Sequence, residues 1–391
     1  MSDWSTRNLE ELCVRITVGH VGSMAHEYVE SGVPFLRSQN IKRGHLDLSS
    51  VKYINKDFHH RLAKSQLQPG DLAIVRTGEP GATALIPDDL GPANCSDIVI
   101  ARPGPDIVGR YLCYAINATA QQFIDAHTVG AVQQHFNVAS AKRLTVAVPP
   151  IAIQEAIASL LGALDDKIAV NDRIAATAEE LCLAQFSDQT GAAMTPVAEL
   201  CHVERKQIDP RELGKNSVLH FSIPSFDAGC MPEVADPREI KSLKFEVPPS
   251  AILVSKLNPG TPRVWHVRHD GEVPAMASTE FLILLPIEGV GTAELWAVLS
   301  QPEFMASIAA KVTGTSNSHQ RVKPAEIMSA EIADPRQFGQ LRLMAEALLQ
   351  RVIAARQEAS TLRALRDTLL PELMSGRLRV KEAEKVVEDA V

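Results

Sequence analysis

From Ile151 to Phe186 the chain reads IAIQEAIASLLGALDDKIAVNDRIAATAEELCLAQF, with Ile157, Leu161, Leu164 and Ile168 recurring at steps of four, three and four. That spacing predicts one helical face, which Ala175, Ala178 and Cys182 extend. The charges Asp165, Asp166, Lys167, Asp172, Arg173, Glu179 and Glu180 fall mainly off this stripe, and no Gly or Pro follows Gly162. Such a helix runs about 50 Å at 1.5 Å per residue and needs a partner. Arg336 to Leu370 supplies one, repeating the spacing through Leu341, Ala345, Leu348, Val352, Ala355, Ala359, Leu362 and Leu369. The long stretch between the two helices lets the chain return, so they are expected to pack antiparallel within one chain. Asn171 sits on the seam, where a polar residue fixes register at some cost in stability. The competing picture is two unrelated amphipathic helices, each lying on its own domain.

What precedes each helix argues for duplication. In the first copy, PFLRSQNIKRGHLDL reads as a strand entering a polar turn. LQPGDLAIVRTGEPGATALI then gives a turn, a buried strand Leu72 to Val75, a Gly/Pro loop and a strand near Ala82 to Ile86. Ser96 to Ala101 is a further strand, Arg110 to Ile124 a helix, and TVGAVQQHFNVASAKRLTVAVPP a loop, short helical turn and strand. The order returns after the first long helix: VPPSAILVSKLNPGTPRVWHV answers QPGDLAIVRTGEPGATALI, MASTEFLILLP answers NCSDIVIARP, and VTGTSNSHQRV answers TVGAVQQHFNV. The Gly70-Asp71 of the first copy is replaced by Pro249-Ser250. Two mixed lobes joined by two long antiparallel coiled-coil helices therefore define an α+β (mixed α/β) fold. The expected boundaries are 1–150 for the first lobe, 151–190 for the first helix, 191–335 for the second lobe, 336–375 for the second helix and 376–391 for a charged C-terminal tail.

Composition narrows the class. The chain has 391 residues and 45% hydrophobic content, room for separate cores. No run of eighteen apolar residues occurs and the N-terminus is polar and acidic, so the expectation is a cytoplasmic protein with no membrane segment. The six cysteines show no CxxC, and reduced core thiols with neither disulfides nor zinc are expected. The net charge of −8 argues mildly against a nucleic-acid binder, but it is unevenly spread. It is 0 over residues 1–150, −5 over 151–190, −5 over 191–335 and +2 over the remainder.

Familiar catalytic signatures are missing: no GxxxxGK[ST], GxSxG or HExxH is present, and His59-His60 reads as an exposed loop pair with no third ligand. No catalytic or metal residues are assigned. Polar turns carry the candidate chemistry instead. In the first lobe Arg37, Ser38, Gln39, Asn40, Lys42 and Arg43 bunch in one turn, with Arg76, Thr77, Gln133, Gln134 and His135 in other loops. Their second-lobe equivalents are Ser222, Ser225, Lys256, Asn258, Arg263, Ser316, Asn317, Ser318, His319, Gln320 and Arg321. Arg and Lys suit guanine edges and phosphates, while Asn and Gln suit adenine; solvated surface loops would show the same composition.

PGDLAIVRTGEPG, TVGAVQQHFNVASAKRLTVAVPPIAIQEAIASLLGALDDKIAVNDRI and LRALRDTLLPELMSGRLRV together resemble the specificity (S) subunit of type I restriction-modification systems. The resemblance covers nearly the whole chain and is strongest at the helix-entry and C-terminal segments. It implies a non-catalytic DNA-recognition subunit of an antiviral restriction system, whose two target-recognition lobes each read one half of a bipartite, asymmetric site on double-stranded DNA. The two helices would act as spacer and as docking surface for methyltransferase subunits, two in number, with Ile157, Leu161, Leu164, Ile168, Leu348, Val352, Leu362 and Leu369 as the candidate spacer and docking residues. Restriction subunits would join through that complex. S-adenosylmethionine would sit on the methyltransferase partner, since this chain shows no cofactor motif. Competing expectations are a protein-only helical scaffold and an enzyme with an unfamiliar site around His135 and His319.

Overall fold

The computed structural model describes residues 4–24, 26–127, 136–187, 191–214, 217–312 and 320–390. The chain divides into two compact units, Met1–Asp166 with Arg363–Val391, and Lys167–Leu362. Each unit thus holds one lobe together with a segment of each long helix.

In the first unit the strand LAIV, Leu72–Val75, is at most 1% exposed along its whole length. A strand buried on both faces reads as a continuous apolar run rather than an alternation. It lies between Thr83–Leu85 and Ile98–Pro103, and Cys13–Val18 completes an antiparallel four-stranded sheet. A five-stranded sheet runs Tyr28–Val29, Lys52–Ile54, Val33–Leu36, Ala93–Cys95, Gln66–Leu67, its parallel pair being Val33–Leu36 with Ala93–Cys95. The helix Gly109–His127 packs on Thr83–Leu85. A two-stranded ribbon of Ser5–Asn8 and Thr145–Val148 leads into the long helix.

The second unit repeats this plan. Its four-stranded sheet runs Val264–Arg268, Ser250–Ser255, Phe281–Pro286, Cys201–Glu204, and Met194–Pro196 pairs with Glu331–Ala333 as the ribbon. Its five-stranded sheet again centres on a parallel pair, Val218–Phe221 with Ala275–Ala277. Four strands correspond in the two mixed sheets, but the fifth is added at opposite edges. Tyr28–Val29 lies outside Lys52–Ile54 in one lobe, and Gln207–Ile208 lies outside Lys244–Glu246 in the other.

The register accounts for the lost Gly70-Asp71. Asp71 is fully buried and accepts from Arg102 Nε at 2.7 Å, Arg102 Nη2 at 2.9 Å and the Gln68 N–H at 2.9 Å. The pairings Ala73 with Ile100 and Ile252 with Leu284 place Ser250 where Asp71 stands and Pro286 where Arg102 stands. Both partners are replaced together, so no charge is left without its counterpart.

The first long helix spans Ile151–Gln185, ending one residue before the predicted limit. The second spans Gly339–Met374, starting three residues after the expected boundary of 336 and ending one residue before that of 375. Asp334 caps a short 3-10 turn, Pro335–Phe338, through the Arg336 N–H at 3.0 Å, so the α-helix starts after it. It continues through Pro371, whose missing N–H costs one bond in the final turn; Leu373 and Met374 are buried beyond it. The tail forms a helix, Val380–Ala390. In the first unit the two helices are tied by Arg366 Nη1 on Asp165 Oδ1 at 2.8 Å. In the second, Lys167–Glu358 (3.1 Å) and Arg356–Glu179 (2.6 Å) join them, and Phe186 meets Phe338 edge-on, as antiparallel segments require.

Ile157, Leu161, Leu164, Ile168, Val352, Leu362 and Leu369 are all buried, and Asn171 is fully buried among them. Two readings are corrected here. Leu348 is only half-buried, and its neighbour Leu349, 2% exposed, takes the seam position. Because the seam residues are covered by their own chain, they cannot also be a docking surface; Ile151, Ile153, Val170, Leu181 and Leu343 are the large apolar side chains exposed along these helices. All six cysteines are free thiols, and burial pushes Cys182 up to about 11 and Cys201 to about 12. Among the described residues no helix is long and apolar enough to cross a membrane.

Candidate nucleic-acid interface

In the first lobe the polar turn, the loop after Leu72–Val75 and the loop before Ile98–Pro103 converge on a surface cavity of about 480 Å³. Arg37, Ser38, Gln39, Lys42, Thr77 and Asp97 are among the residues lining it. Several side chains around it are held in place. Arg37 donates to the Ser50 carbonyl at 2.9 Å and its guanidinium lies 6.0 Å from the Tyr28 ring centroid. Gln39 Nε2 donates to Ser50 Oγ at 3.0 Å. Arg76 pairs with Asp97, and Asp97 adopts φ +51°, a left-handed conformation that Asp tolerates better than most residues. Arg43 donates to Oε1 of Glu79, a residue that also lines the cavity, and to the Asn117 carbonyl, both at 3.1 Å.

Asn40 is a correction. It is fully buried; its Oδ1 accepts the Arg37 N–H at 3.1 Å and its Nδ2 donates to the Asp47 carbonyl at 2.9 Å. It staples the turn and has no edge left for a base. His59 is another: it lies on the helix Lys56–Arg61, buried, with Nδ1 3.4 Å from Asn94 Nδ2, rather than in an exposed loop. Gln133, Gln134 and His135 lie outside the described residues.

The second lobe uses the same junction. Lys256 follows Ser250–Ser255, Glu280 precedes Phe281–Pro286, and Arg321 bridges in beside Leu257. Arg321 grips Glu280 with a fork at 3.1 and 2.8 Å, which holds that carboxyl below the usual carboxylate range. Lys256 donates to the Thr279 carbonyl at 2.5 Å, and burial lowers its pKa. Asn258, at φ +48°, is fixed by its N–H to the Gln320 carbonyl at 2.9 Å, while its Oδ1 is buried without a partner among the described residues. Arg263, with only 12% of its side chain exposed, forks onto Asp227 at 2.7 and 2.8 Å. Ser222 and Ser225 cap the helix Ile223–Asp227: Ser222 Oγ accepts the Ser225 N–H at 3.1 Å and Ser225 Oγ the Ser222 N–H at 2.9 Å. Ser316, Asn317, Ser318 and His319 lie outside the described residues.

Sequence reasoning found the cations and missed the acids that position them, Asp97, Asp227 and Glu280. Two of these had a visible signal, since Ser96-Asp97 and Ser278-Thr279-Glu280 fall at the same point of the repeat. Chemically, both clusters offer fixed hydrogen-bond donors on loops carried by rigid sheets, the arrangement that suits base edges and phosphates. Among the described residues no group of three or more His, Cys, Asp or Glu could hold a metal ion.

Residues 1–180 match the family model described as type I restriction modification DNA specificity domain. No curated protein matches the chain. Among solved structures, the S subunit of a type I restriction-modification system from M. genitalium aligns over 95% of this chain and 96% of that one at 12% identity, with a TM-score of 0.57. An HsdS subunit from Thermoanaerobacter tengcongensis aligns over 96% and 97% at 15% identity, with a TM-score of 0.36. The repeated loop junction thus stands on a chain that shares the fold of the M. genitalium S subunit and whose first 180 residues match the model of the type I restriction modification DNA specificity domain.

Proposed function

We propose that this chain is the sequence-recognition subunit of a type I restriction-modification complex and that each lobe reads one half of a bipartite DNA site through its loop junction. The observation that carries this reading is the recurrence of one device. A loop leaving the central buried strand meets a loop entering its neighbour, and a cation is held there by an acid, Arg76 with Asp97 in one lobe and Arg321 with Glu280 in the other. Two different lobes on one chain give an asymmetric target, as two identical half-readers on a dimer give a palindromic one. In the first lobe Lys42, Thr77, Ser38 and Gln39 face the cavity and are the residues proposed to touch DNA. In the second, Lys256 and Arg321 are. Methyl transfer belongs to methyltransferase subunits, which would bring S-adenosylmethionine and flip the target base, and restriction subunits would join through them. The docking surface is proposed on the outer faces of the long helices, around Val170, Leu181 and Leu343. The neutral first lobe and acidic second lobe predict weak DNA binding by the chain alone, with most phosphate neutralisation coming from the partners.

The test is methylome sequencing of cells carrying the whole system, with residues 1–150 exchanged for the corresponding lobe of a relative. One half of the methylated motif should change and the other should stay. A change in both halves, or no methylation tied to this gene, would overturn the proposal.

A further inference from the structure

The helix Gly109–His127 presents Arg110 and Tyr114, four residues apart and so on one face, to the first long helix. Arg110 Nη2 donates to the Gly162 carbonyl at 3.2 Å and to Asp166 Oδ1 at 2.7 Å. Tyr114 donates its hydroxyl to one oxygen of Asp165, and the other oxygen of that carboxylate accepts from Arg366 Nη1 of the second long helix at 2.8 Å. Three helices are therefore joined through one linked set of charge-assisted bonds.

Gly162 makes the arrangement possible. A Cβ at this position would stand 2.6 Å from Arg110 Cζ and 2.7 Å from Nη1. A glycine inside a helix is a standing cost relative to alanine, and here it opens the groove across which the guanidinium lies. In the second unit, by contrast, one continuous apolar cluster joins Phe186, Leu349 and Val352 of the helical segments to Trp296 and Phe304 of the lobe. Apolar contact is non-directional, whereas a guanidinium nitrogen shared between the Gly162 carbonyl and Asp166 fixes orientation as well as distance.

We propose that Arg110, lying across Gly162, is a positioning residue that keys the first lobe to the spacer helix and so sets the length of the gap between the two half-sites. This rests on the DNA-recognition reading above. One base-pair step is about 3.4 Å along the duplex, so a shift of the lobe's loops by that much is enough to admit a site one pair longer or shorter. Arg110 is not among the residues lining the first lobe's cavity and belongs to neither loop junction, so its loss changes the gap and leaves the bases read in each half intact.

The experiment sequences the methylome of cells carrying the complete system with the wild-type chain, Gly162→Ala, Arg110→Met or Arg110→Lys. Gly162→Ala displaces only the far end of a flexible side chain and adds helix propensity, so it tests the key independently of whether Arg110→Met folds. Wild type should mark a single gap length. Gly162→Ala and Arg110→Met should keep both half-sites while methylation at gaps one pair longer or shorter rises about tenfold or more relative to the correct gap, the effect of losing a charge-assisted hydrogen bond. Arg110→Lys keeps the cation without the planar guanidinium and should fall between. Strict single-gap methylation in all variants at normal protein levels overturns the key while leaving the DNA-recognition reading standing. Altered bases in a half-site also overturn it, because Arg110 would then be reading rather than positioning. No methylation with wild type overturns both.

Discussion

Replacing Arg102 with Leu strips two of the three bonds from a carboxylate that has no access to solvent. Asp71 would retain only the Gln68 N–H at 2.9 Å. Breaking a buried ion pair by removing one partner costs about 3–5 kcal/mol; with a quarter of the Arg102 side chain exposed, water can follow it in, so about 2–3 kcal/mol is expected. Asp71→Ser leaves a cation that can turn toward solvent, and should cost about 1–2 kcal/mol. The double variant should be close to Asp71→Ser alone, with a coupling of about 2 kcal/mol. The second lobe already carries that outcome with Ser250 and Pro286. Because the chain has two units, global melting mixes their transitions, and native-state hydrogen exchange is the suitable assay. Amides of Leu72–Val75 and Ile98–Pro103 should lose protection by about 30-fold in Arg102→Leu, at 1.4 kcal/mol per tenfold, while those of Ser250–Ser255 stay unchanged as an internal reference. Additive losses in the double variant would refute the view that the two residues are one unit.

Two further expectations concern the second unit. Leu349→Ala should cost about 2–5 kcal/mol as a buried truncation and Leu348→Ala under about 1 kcal/mol; equal shifts in thermal melting would put the seam elsewhere. Burial lowers His266 to about 4 from its ordinary 6.5, so between those values the unfolded chain binds more protons than the folded one. Stability therefore rises with pH across that window, by at most about 3 kcal/mol, and is lost as pH falls from 6.5 toward 4. His266→Gln should flatten this part of the stability–pH curve, and an unchanged slope would show that another group titrates there.

The architecture was legible where periodicity is long or burial two-sided. The seam from Ile157 to Cys182 and the runs LAIV and IVIA left little choice of element, and the repeated Pro-Gly turn revealed the duplication. Leu348 and Leu349 mark the limit of such reading. Adjacent leucines both fit a stripe that drifts between 3.5 and 3.6 residues per turn, and only tertiary packing, which takes Leu349 into the buried cluster and leaves Leu348 at its edge, selects one. Polar residues were harder for a different reason. Asn40, Ser222 and Ser225 have the composition of base-reading side chains, yet all three spend their hydrogen bonds on nearby backbone, a local competition that composition does not disclose. The pairings of Arg263 with Asp227 and Arg321 with Glu280 span 36 and 41 residues, beyond any local pattern.

The placement of the fifth strand bears on how such lobes can be recombined. Tyr28–Val29 shields the margin formed by Lys52–Ile54, whereas Gln207–Ile208 shields the opposite margin, at Lys244–Glu246. A chimera cut inside a lobe could therefore inherit a margin from one parent and lose the strand that covers it, leaving unpaired N–H and C=O groups open to another chain. Crossovers at the ribbon entries, near Pro149-Pro150 and Asp334-Pro335, carry each sheet across with its own cover, so natural exchange of lobes should leave its junctions there and rarely within the sheets.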